Sequence, residues 1–460
     1  MGKLAENNCG FKDTCRGSEL CWSSCPLKSA YKNTVKKTPE AYQKPYLDFF
    51  KYIAEGRNIF LTAPAGYGKT YLINQLDSVL PNKITMTATT GVAALNINGA
   101  TLHSTLGLGI GKQSMKVLVQ KMNKYKIDFL NRLDILVVDE VSMLSSELLD
   151  KCNELLKLVR LDNKPFGGVQ TILIGDFCQL PPVDEKPNKD YCFYSQTWKE
   201  LNLANVILDY NYRQETDKPY SNMLSLLRQG KLTQEGFDLI KSRTTENPPE
   251  DIPNLYATNA EVYQYNIAKL KELNQPIEIF QATYGTPNKN IANNPEFYNS
   301  LVEKVKKYSK AEDKLEICVG SRVMLTKNTD LSRGLVNGSL GYVESIGDEH
   351  IEVKFDNDET YYVKKTDVEM HDAEGKVLVW QHQYPLKLAN AITIHSSQGS
   401  TLEKVFIDFN RFFEVNQAYV ALSRAKSSEG LFVKNFRVSA ITFAPEVLEF
   451  YKNLNKNLIE

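Results

Sequence analysis

The chain has 460 residues, with 55 basic and 55 acidic side chains and a formal net charge of zero. At about 150 residues per domain, that length predicts roughly three domains. Hydrophobic residues at 42% and charged ones at 24% exclude a disordered chain, a collagen and a coiled-coil rod, and neutral charge excludes a polybasic tail-binder but not a local basic groove.

No apolar run approaches the roughly 18 residues of a membrane span. The N-terminus lacks an apolar signal-peptide core, and Gly2 lacks the downstream Ser or Thr of a myristoylation signal. The expectation is an intracellular, soluble protein with no membrane partner, monomeric when free.

In chain order, residues 1–38 are polar, basic and short of core formers, so they are assigned to an N-terminal appendage. Cys9, Cys15, Cys21 and Cys25 fall here with spacing C-x5-C-x5-C-x3-C, and only the last gap fits a zinc knuckle. Zinc binding and four free thiols both remain open. The remaining cysteines, Cys152, Cys178, Cys192 and Cys318, are isolated, as reduced intracellular thiols are.

Pro39 and Glu40 open an amphipathic helix through Tyr46, Phe49, Phe50 and Ile53, stopping near Gly56. Short apolar runs at 58–62, 83–87, 133–138, 170–175, 205–208 and 404–408 predict buried strands, with helical stretches such as 146–159 between them. Alternation of this kind predicts an α/β fold with a parallel sheet and right-handed crossovers. Residues 320–380 instead carry short alternating strands separated by turn groups such as Asn337-Gly338 and Glu374-Gly375. They predict a small antiparallel barrel inserted into a second α/β lobe. Residues 241–315 are rich in Asn, Pro, Lys and Glu and show no clear order.

The strand at 58–62 runs into Ala63, Pro64, Ala65, Gly66, Tyr67, Gly68, Lys69 and Thr70, followed by a helix. This is the setting of a phosphate loop. Its backbone N–H groups would turn around phosphate oxygens, Lys69 would reach the β- and γ-phosphates, and Thr70 would ligate Mg²⁺. ATP and Mg²⁺ are therefore the expected cofactors. ILVVDE at 135–140 is an apolar strand ending in two acids, with Asp139 placed to hold metal and Glu140 to activate water. ILIGDFCQLPPV at 172–183 puts Asp176 and Gln179 at another strand mouth, where Gln179 could sense a γ-phosphate. Arg213 and Arg424 are candidates to stabilise the transition state from the opposite lobe, because a loose phosphoryl transition state spreads charge over its equatorial oxygens.

The motifs between these residues resemble those of the PIF-type (petite integration frequency) DNA helicases of superfamily 1B. The matching blocks are TATTGVAALNINGATLHS at 87–104, DEVSML at 139–144, PFGGVQ at 165–170, GDFCQLPP at 175–182, MLTKN at 324–328, GLVNG at 334–338, ITIHSSQG at 392–399 and YVALSR at 419–424. They cover the chain from about 40 to 433 in the family's order. The resemblance implies two RecA-like P-loop lobes and 5′ to 3′ movement on single-stranded DNA. It casts the 320–380 barrel as an SH3-like accessory domain. It also implies an adenine-reading role for Gln43, a nucleotide contact at Gly399, and DNA contacts at Thr89, Thr90, His103, His395 and Ser397. Four positions depart from the family pattern. Ala63 replaces a glycine, Tyr67 a small hydroxyl residue, Asn390 a tryptophan and Ser396 a lysine.

Segment 111–132 carries Lys112, Lys116, Lys121, Lys124, Lys126 and Arg132 against the single acid Asp128. It lies where the family has a short strand-separating wedge, placed here within 105–132, and would bind phosphates in a salt-dependent way. The expected division is 1–38 appendage, 39–204 first lobe, 205–319 with 381–440 second lobe, 320–380 barrel, and 441–460 C-terminal helix or tail. The expected activity is ATP-dependent unwinding in DNA replication, repair, recombination or telomere maintenance, with single-stranded DNA and duplex junctions as partners. A single-strand clamp that does not unwind and an RNA-directed motor are the alternatives.

Overall fold

The computed structural model describes residues 26–456 except 91–92, 95–96, 109–113, 183–189, 214–215, 251, 310, 328, 331–332, 336–337 and 372–376. Cys9, Cys15, Cys21, Cys25 and Lys112 lie outside the described residues.

Six strands make the first sheet: β1 (Ile59–Thr62), β2 (Ile84–Ala88), β3 (Ala100–Thr101), β4 (Ile135–Asp139), β5 (Gln170–Gly175) and β6 (Ala204–Ile207). They are parallel, in the order β3-β2-β4-β5-β1-β6. Successive side chains point to opposite faces. Phe60, Leu136, Val138 and Leu173 enter one core, and Ile59, Leu61, Ile135, Val137, Ile172 and Ile174 enter the other. Burial on both faces is why these strands read as unbroken apolar runs.

Two predicted boundaries move. The strand predicted at 205–208 is β6, which pairs with β1 in the first sheet. The first lobe therefore runs past 204, and Arg213 stands on the connector leaving it. Residues 26–38 are not an appendage. Helix Pro26–Thr34 buries Leu27 and Ala30 in the core that also holds Phe49, Phe50, Leu72 and Leu76. Its few apolar residues, spread among lysines, gave no strong periodic signal. The segment 441–460, expected as a C-terminal helix or tail, is helical over much of its described part. Helix Pro445–Lys456 returns to the first lobe, where Phe450 packs on Phe60, Phe177, Phe193 and Trp198.

The second lobe holds a four-stranded parallel sheet built from β7 (Asn254–Tyr256) and three later strands. The chain leaves it after β7 and helix Asn259–Glu272 for an antiparallel insertion. That insertion contains β8 (Glu278–Gln281), β9 (Thr283–Gly285), β10 (Lys314–Ile317), β11 (Arg322–Leu325), β12 (Leu340–Ile346), β13 (His350–Phe355), β14 (Thr360–Lys364), β15 (Thr366–His371), β16 (Val377–Gln383) and β17 (Leu386–Leu388). Strands β18 (Ala391–Thr393), β19 (Val405–Asp408) and β20 (Leu431–Lys434) then complete the lobe in the order β18-β7-β19-β20.

The insertion is larger than 320–380. Among the described residues its pairing falls into five-, three- and two-stranded sheets rather than one closed ladder. β10 and the five-stranded sheet share a core of Leu315, Ile317, Val323, Val343, Val353 and Tyr384. β8 lies mostly at the surface, so its sequence offers no apolar run. No described helix is long and apolar enough to cross a membrane.

Candidate active site

β1 delivers the chain into loop 63–68, and helix Lys69–Val79 leaves it. Gly66 and Gly68 have φ of +87° and +84°, a region that side chains disfavour. A Cβ on Gly66 would also stand 2.5 Å from Arg213 Cβ, so this glycine allows the connector to close on the loop. Ala63 is outside the left-handed set and only 1% exposed, which explains why a methyl group is tolerated there. Loop amides and the helix N-terminus together form an anion cradle. Lys69 Nζ donates to the carbonyls of Ala63 (2.7 Å) and Pro64 (3.1 Å), which hold the ammonium at the loop. Burial lowers its pKa, while Asp176, Glu140 and Asp139 act in the opposite direction.

β4 ends at Asp139, and Glu140 follows with φ +55°. Both acids are buried. Burial, and then the neighbouring Glu140, push the Asp139 carboxyl up to about 7, although the Glu140 N–H donates to Asp139 Oδ1 at 2.8 Å. A buried acid pair of this kind favours a cation. Among the described residues no three His, Cys, Asp or Glu side chains gather into a protein-only metal site. Thr70 and Asp139 fit an ion that keeps waters and phosphate oxygens as its other ligands.

Thr70, Asp139, Glu140, Gln179, Arg213 and Arg424 all line one cleft of about 450 Å³, together with Tyr67, Gly399 and Lys426. Of the sequence-predicted nucleotide residues, Ala65, Gly66, Tyr67, Gly68, Lys69, Thr70 and Gly399 line the cleft, whereas Ala63 and Pro64 serve as acceptors for Lys69 and Gln43 does not reach it. Gln43 Nε2 donates to Thr38 O at 2.8 Å and its Oε1 accepts from Tyr31 OH at 3.4 Å, so its amide is engaged within the N-terminal segment. Gln179 is 2% exposed and its Oε1 has no partner among the described residues, a buried acceptor left for a ligand or water.

The two arginines are held differently. Arg213 Nη1 donates to Ser423 O at 2.8 Å, linking the connector to the second lobe. Burial and then the Arg424 charge lower its pKa to about 10. Arg424 is 1% exposed. Its guanidinium donates to Val420 O (2.9 Å), Ser423 Oγ (2.7 Å), Ser400 O (3.3 Å) and Ser397 O (3.4 Å). Burial lowers its pKa, with Glu140 opposing. Two close, desolvated cations satisfied by neutral acceptors make a site for an anion between the lobes.

Asp176 is not at an open strand mouth. It is fully buried and paired with Arg228, whose Nη2 lies 2.9 Å from Oδ1 and whose Nε lies 3.1 Å from Oδ2. Burial raises this carboxyl, but Arg228 and Lys69 outweigh burial and hold it below its usual range. Tyr451 OH closes the cluster, 3.2 Å from Asp176 Oδ1, 2.8 Å from Thr62 Oγ1 and 3.1 Å from Phe177 N. Arg228, Tyr451 and Gln398, whose amide reaches Glu140, were not singled out from sequence. Only the Gln398 position lay inside a recognised motif.

The residues expected to meet DNA divide. Thr89 Oγ1 donates to Glu140 O at 2.9 Å, and Thr90 Oγ1 accepts from Ala93 N at 3.2 Å. His103 is exposed and His395 half-buried. Ser397 corrects the expectation. It is fully buried and donates its hydroxyl to Ile394 O at 2.8 Å, so it supports its turn instead of meeting a ligand. In segment 111–132, Lys116, Lys121, Lys124 and Arg132 are exposed. Lys126 turns back to the carbonyls of Ser104 and Thr105, at 3.1 Å each.

Family profiles match two stretches: PIF1-like helicase over residues 47–236, and the DNA helicase Pif1 2B domain over 296–346. The second falls in the insertion. The ATP-dependent DNA helicase Pif1 of Bdellovibrio bacteriovorus is 33% identical, over 91% of this chain and 92% of its own. The Danio rerio PIF1 helicase is 35% identical, over 94% of this chain and 67% of its own. The crystal structure of Pif1 helicase from Candida albicans superposes with a TM-score of 0.81 at 35% identity, covering 89% of this chain and 98% of that one. The Bacteroides Pif1 complex with ADP-AlF3 and ssDNA gives 0.73 at 27% identity, covering 90% of this chain and 96% of that one. Together with a phosphate loop that faces two arginines across a lobe boundary, these matches establish that the chain belongs to the PIF1-like helicase family and is an ATP-dependent DNA helicase.

Proposed function

We propose that this helicase moves 5′ to 3′ along single-stranded DNA and opens duplexes at their junctions, using Mg²⁺·ATP. The observation that carries the motor reading is the cleft itself. Its phosphate loop belongs to the first lobe, Arg424 to the second and Arg213 to the connector, so nucleotide binding and lobe closure are one event. Lys69 and the loop amides hold the phosphates. Glu140 orients the attacking water, and Gln179 meets the γ-phosphate. Arg213 and Arg424 stabilise the charge that spreads in the transition state. Thr70 and Asp139 would hold Mg²⁺, which would bridge phosphate oxygens and neutralise developing charge.

Polarity rests on the blocks at 87–104, 324–328, 334–338 and 392–399, whose order and wording resemble the 5′ to 3′ branch. Related Pif1 structures bound to ssDNA and at forked dsDNA support the choice of partner. The test is unwinding of matched duplexes with 5′, 3′ or no tails, in DNA and RNA versions. The 5′-tailed DNA duplex should open with ATP and Mg²⁺, less well as salt rises, while 3′-tailed and blunt duplexes stay paired. Better opening from a 3′ tail would overturn the polarity. ATP turnover without strand separation would favour a clamp, and preference for RNA tails an RNA-directed motor.

A further inference from the structure

Two loops that carry expected nucleic-acid contacts end on the same residue, Glu140, one on its main chain and one on its carboxylate. From the first lobe, Thr89 grips the Glu140 main chain: Thr89 Oγ1 donates to Glu140 O at 2.9 Å, and Thr89 N donates to Asp139 O at 3.2 Å. From the second lobe, Gln398 Nε2 donates to Glu140 Oε2 at 3.0 Å. Gln398 is 5% exposed, and its Oε1 has no partner among the described residues. The amide cannot be turned over, because Oε1 would then face a carboxylate oxygen.

Gln398 belongs to a wound turn, 393–400. Ser397 N donates to Thr393 O at 3.1 Å, Gln398 N to His395 O at 3.3 Å, and Ser400 N to Ser397 O at 3.0 Å. Ser397 O and Ser400 O are also acceptors for Arg424. One turn therefore holds the water-activating carboxylate at one point and the buried guanidinium at two others. Gly399 of the turn lines the nucleotide cleft, while the partly exposed His395 and Ser396 stand where nucleic acid would reach.

We propose that Gln398 is a positioning residue that keeps the Glu140 carboxylate occupied until nucleic acid shifts turn 393–400, making ATP hydrolysis dependent on DNA. A carboxylate oxygen that already accepts the amide N–H offers a poorer site for the proton of the attacking water. A shift of the turn would free that oxygen and loosen two carbonyls from Arg424 in the same movement. The inference rests on the helicase reading above and adds to it the device that gates turnover.

The test is steady-state ATP hydrolysis with and without a saturating single-stranded oligonucleotide, for wild type, Gln398→Ala and the volume-conserving Gln398→Met. Wild type is measured first, and absence of stimulation there would sink the helicase reading itself. With stimulation present, each variant should raise the DNA-free kcat about tenfold, the scale of one hydrogen bond to a charged group. The DNA-saturated kcat should stay within about threefold, so that the stimulation ratio falls. Oligonucleotide affinity, read by anisotropy, should not change. A purely structural role cannot raise a rate. Parallel loss of both rates, or an unchanged DNA-free rate in the folded Met variant, would overturn the proposal while leaving the helicase reading intact.

Discussion

The first-lobe sheet and the second-lobe sheet are both parallel, yet they offer the nucleotide different chemistry. At the strand ends of the six-stranded sheet stand backbone amides, Lys69, and the Asp139 and Glu140 carboxylates. The four-stranded sheet presents an arginine and an amide, both on short turns and both already donating to other protein groups. On the proposed mechanism, one sheet would bind phosphate and metal, and the other would respond to them. The difference points to where catalytic control would lie: ground-state binding would belong to the first lobe, and transition-state stabilisation would need the lobes together.

The largest expected effect comes from breaking the support beneath the first sheet. Arg228→Ala would leave the Asp176 carboxylate buried and unpaired, a loss of about 3–5 kcal/mol. Denaturant unfolding should show it, and Arg228→Lys should recover only part, because an ammonium cannot reproduce the guanidinium fork. Next is Lys69→Ala, which removes the side-chain cation from the phosphates. Turnover should fall at least ~100-fold, the scale of losing one key electrostatic group, with little change in melting temperature. Near-normal turnover would remove the phosphate-loop assignment.

The arginines sharpen the comparison further. Arg213→Ala and Arg424→Ala should each lower kcat more than nucleotide affinity, by about 10- to 100-fold, because their charge matters most as the phosphoryl group transfers. They should separate on stability. Arg424 makes four hydrogen bonds inside the second lobe, so its loss should also lower the melting temperature. Among the described residues, Arg213 donates to that lobe at Ser423 O alone, so its loss should chiefly affect rate. A pure affinity loss with kcat intact would assign either residue to ground-state binding.

How much was legible follows from the same contrast. Strands β1, β4 and β5 are buried on both faces and carry phosphate-loop and acid motifs at their ends, so sequence gave both fold and site. β7 and β18 are three residues long, below the length at which a pattern can be read. β8 is mostly exposed and hydrogen-bonds to β10 across more than 30 residues of intervening chain, so the insertion began earlier than its alternating strands suggested. Arg228 and Tyr451 could not be found from motifs, because their value depends on a partner far along the chain.

Tyr451 also supplies the finest test of which lobe the C-terminal helix serves. The helix follows β20 of the second sheet, yet its phenol reaches the end of β1 at Thr62 and the start of the Gln179 loop at Asp176 and Phe177. Arg228 lies over its ring, 4.7 Å from the centroid. Tyr451→Phe keeps the ring and its packing and removes only the hydroxyl. Asp176 retains Arg228, whereas Thr62 Oγ1 and Phe177 N lose a partner in a dry site, a cost of about 1–2 kcal/mol. If the helix belongs energetically to the first lobe, this loss should appear in first-lobe amides by hydrogen exchange, with β18 and β19 unchanged. Phe177 N anchors the chain two residues before Gln179, so DNA-stimulated kcat should fall modestly while KM for ATP holds. Equal destabilisation of both sheets would mean that the helix fastens the lobes together, and the division drawn between them would have to be abandoned.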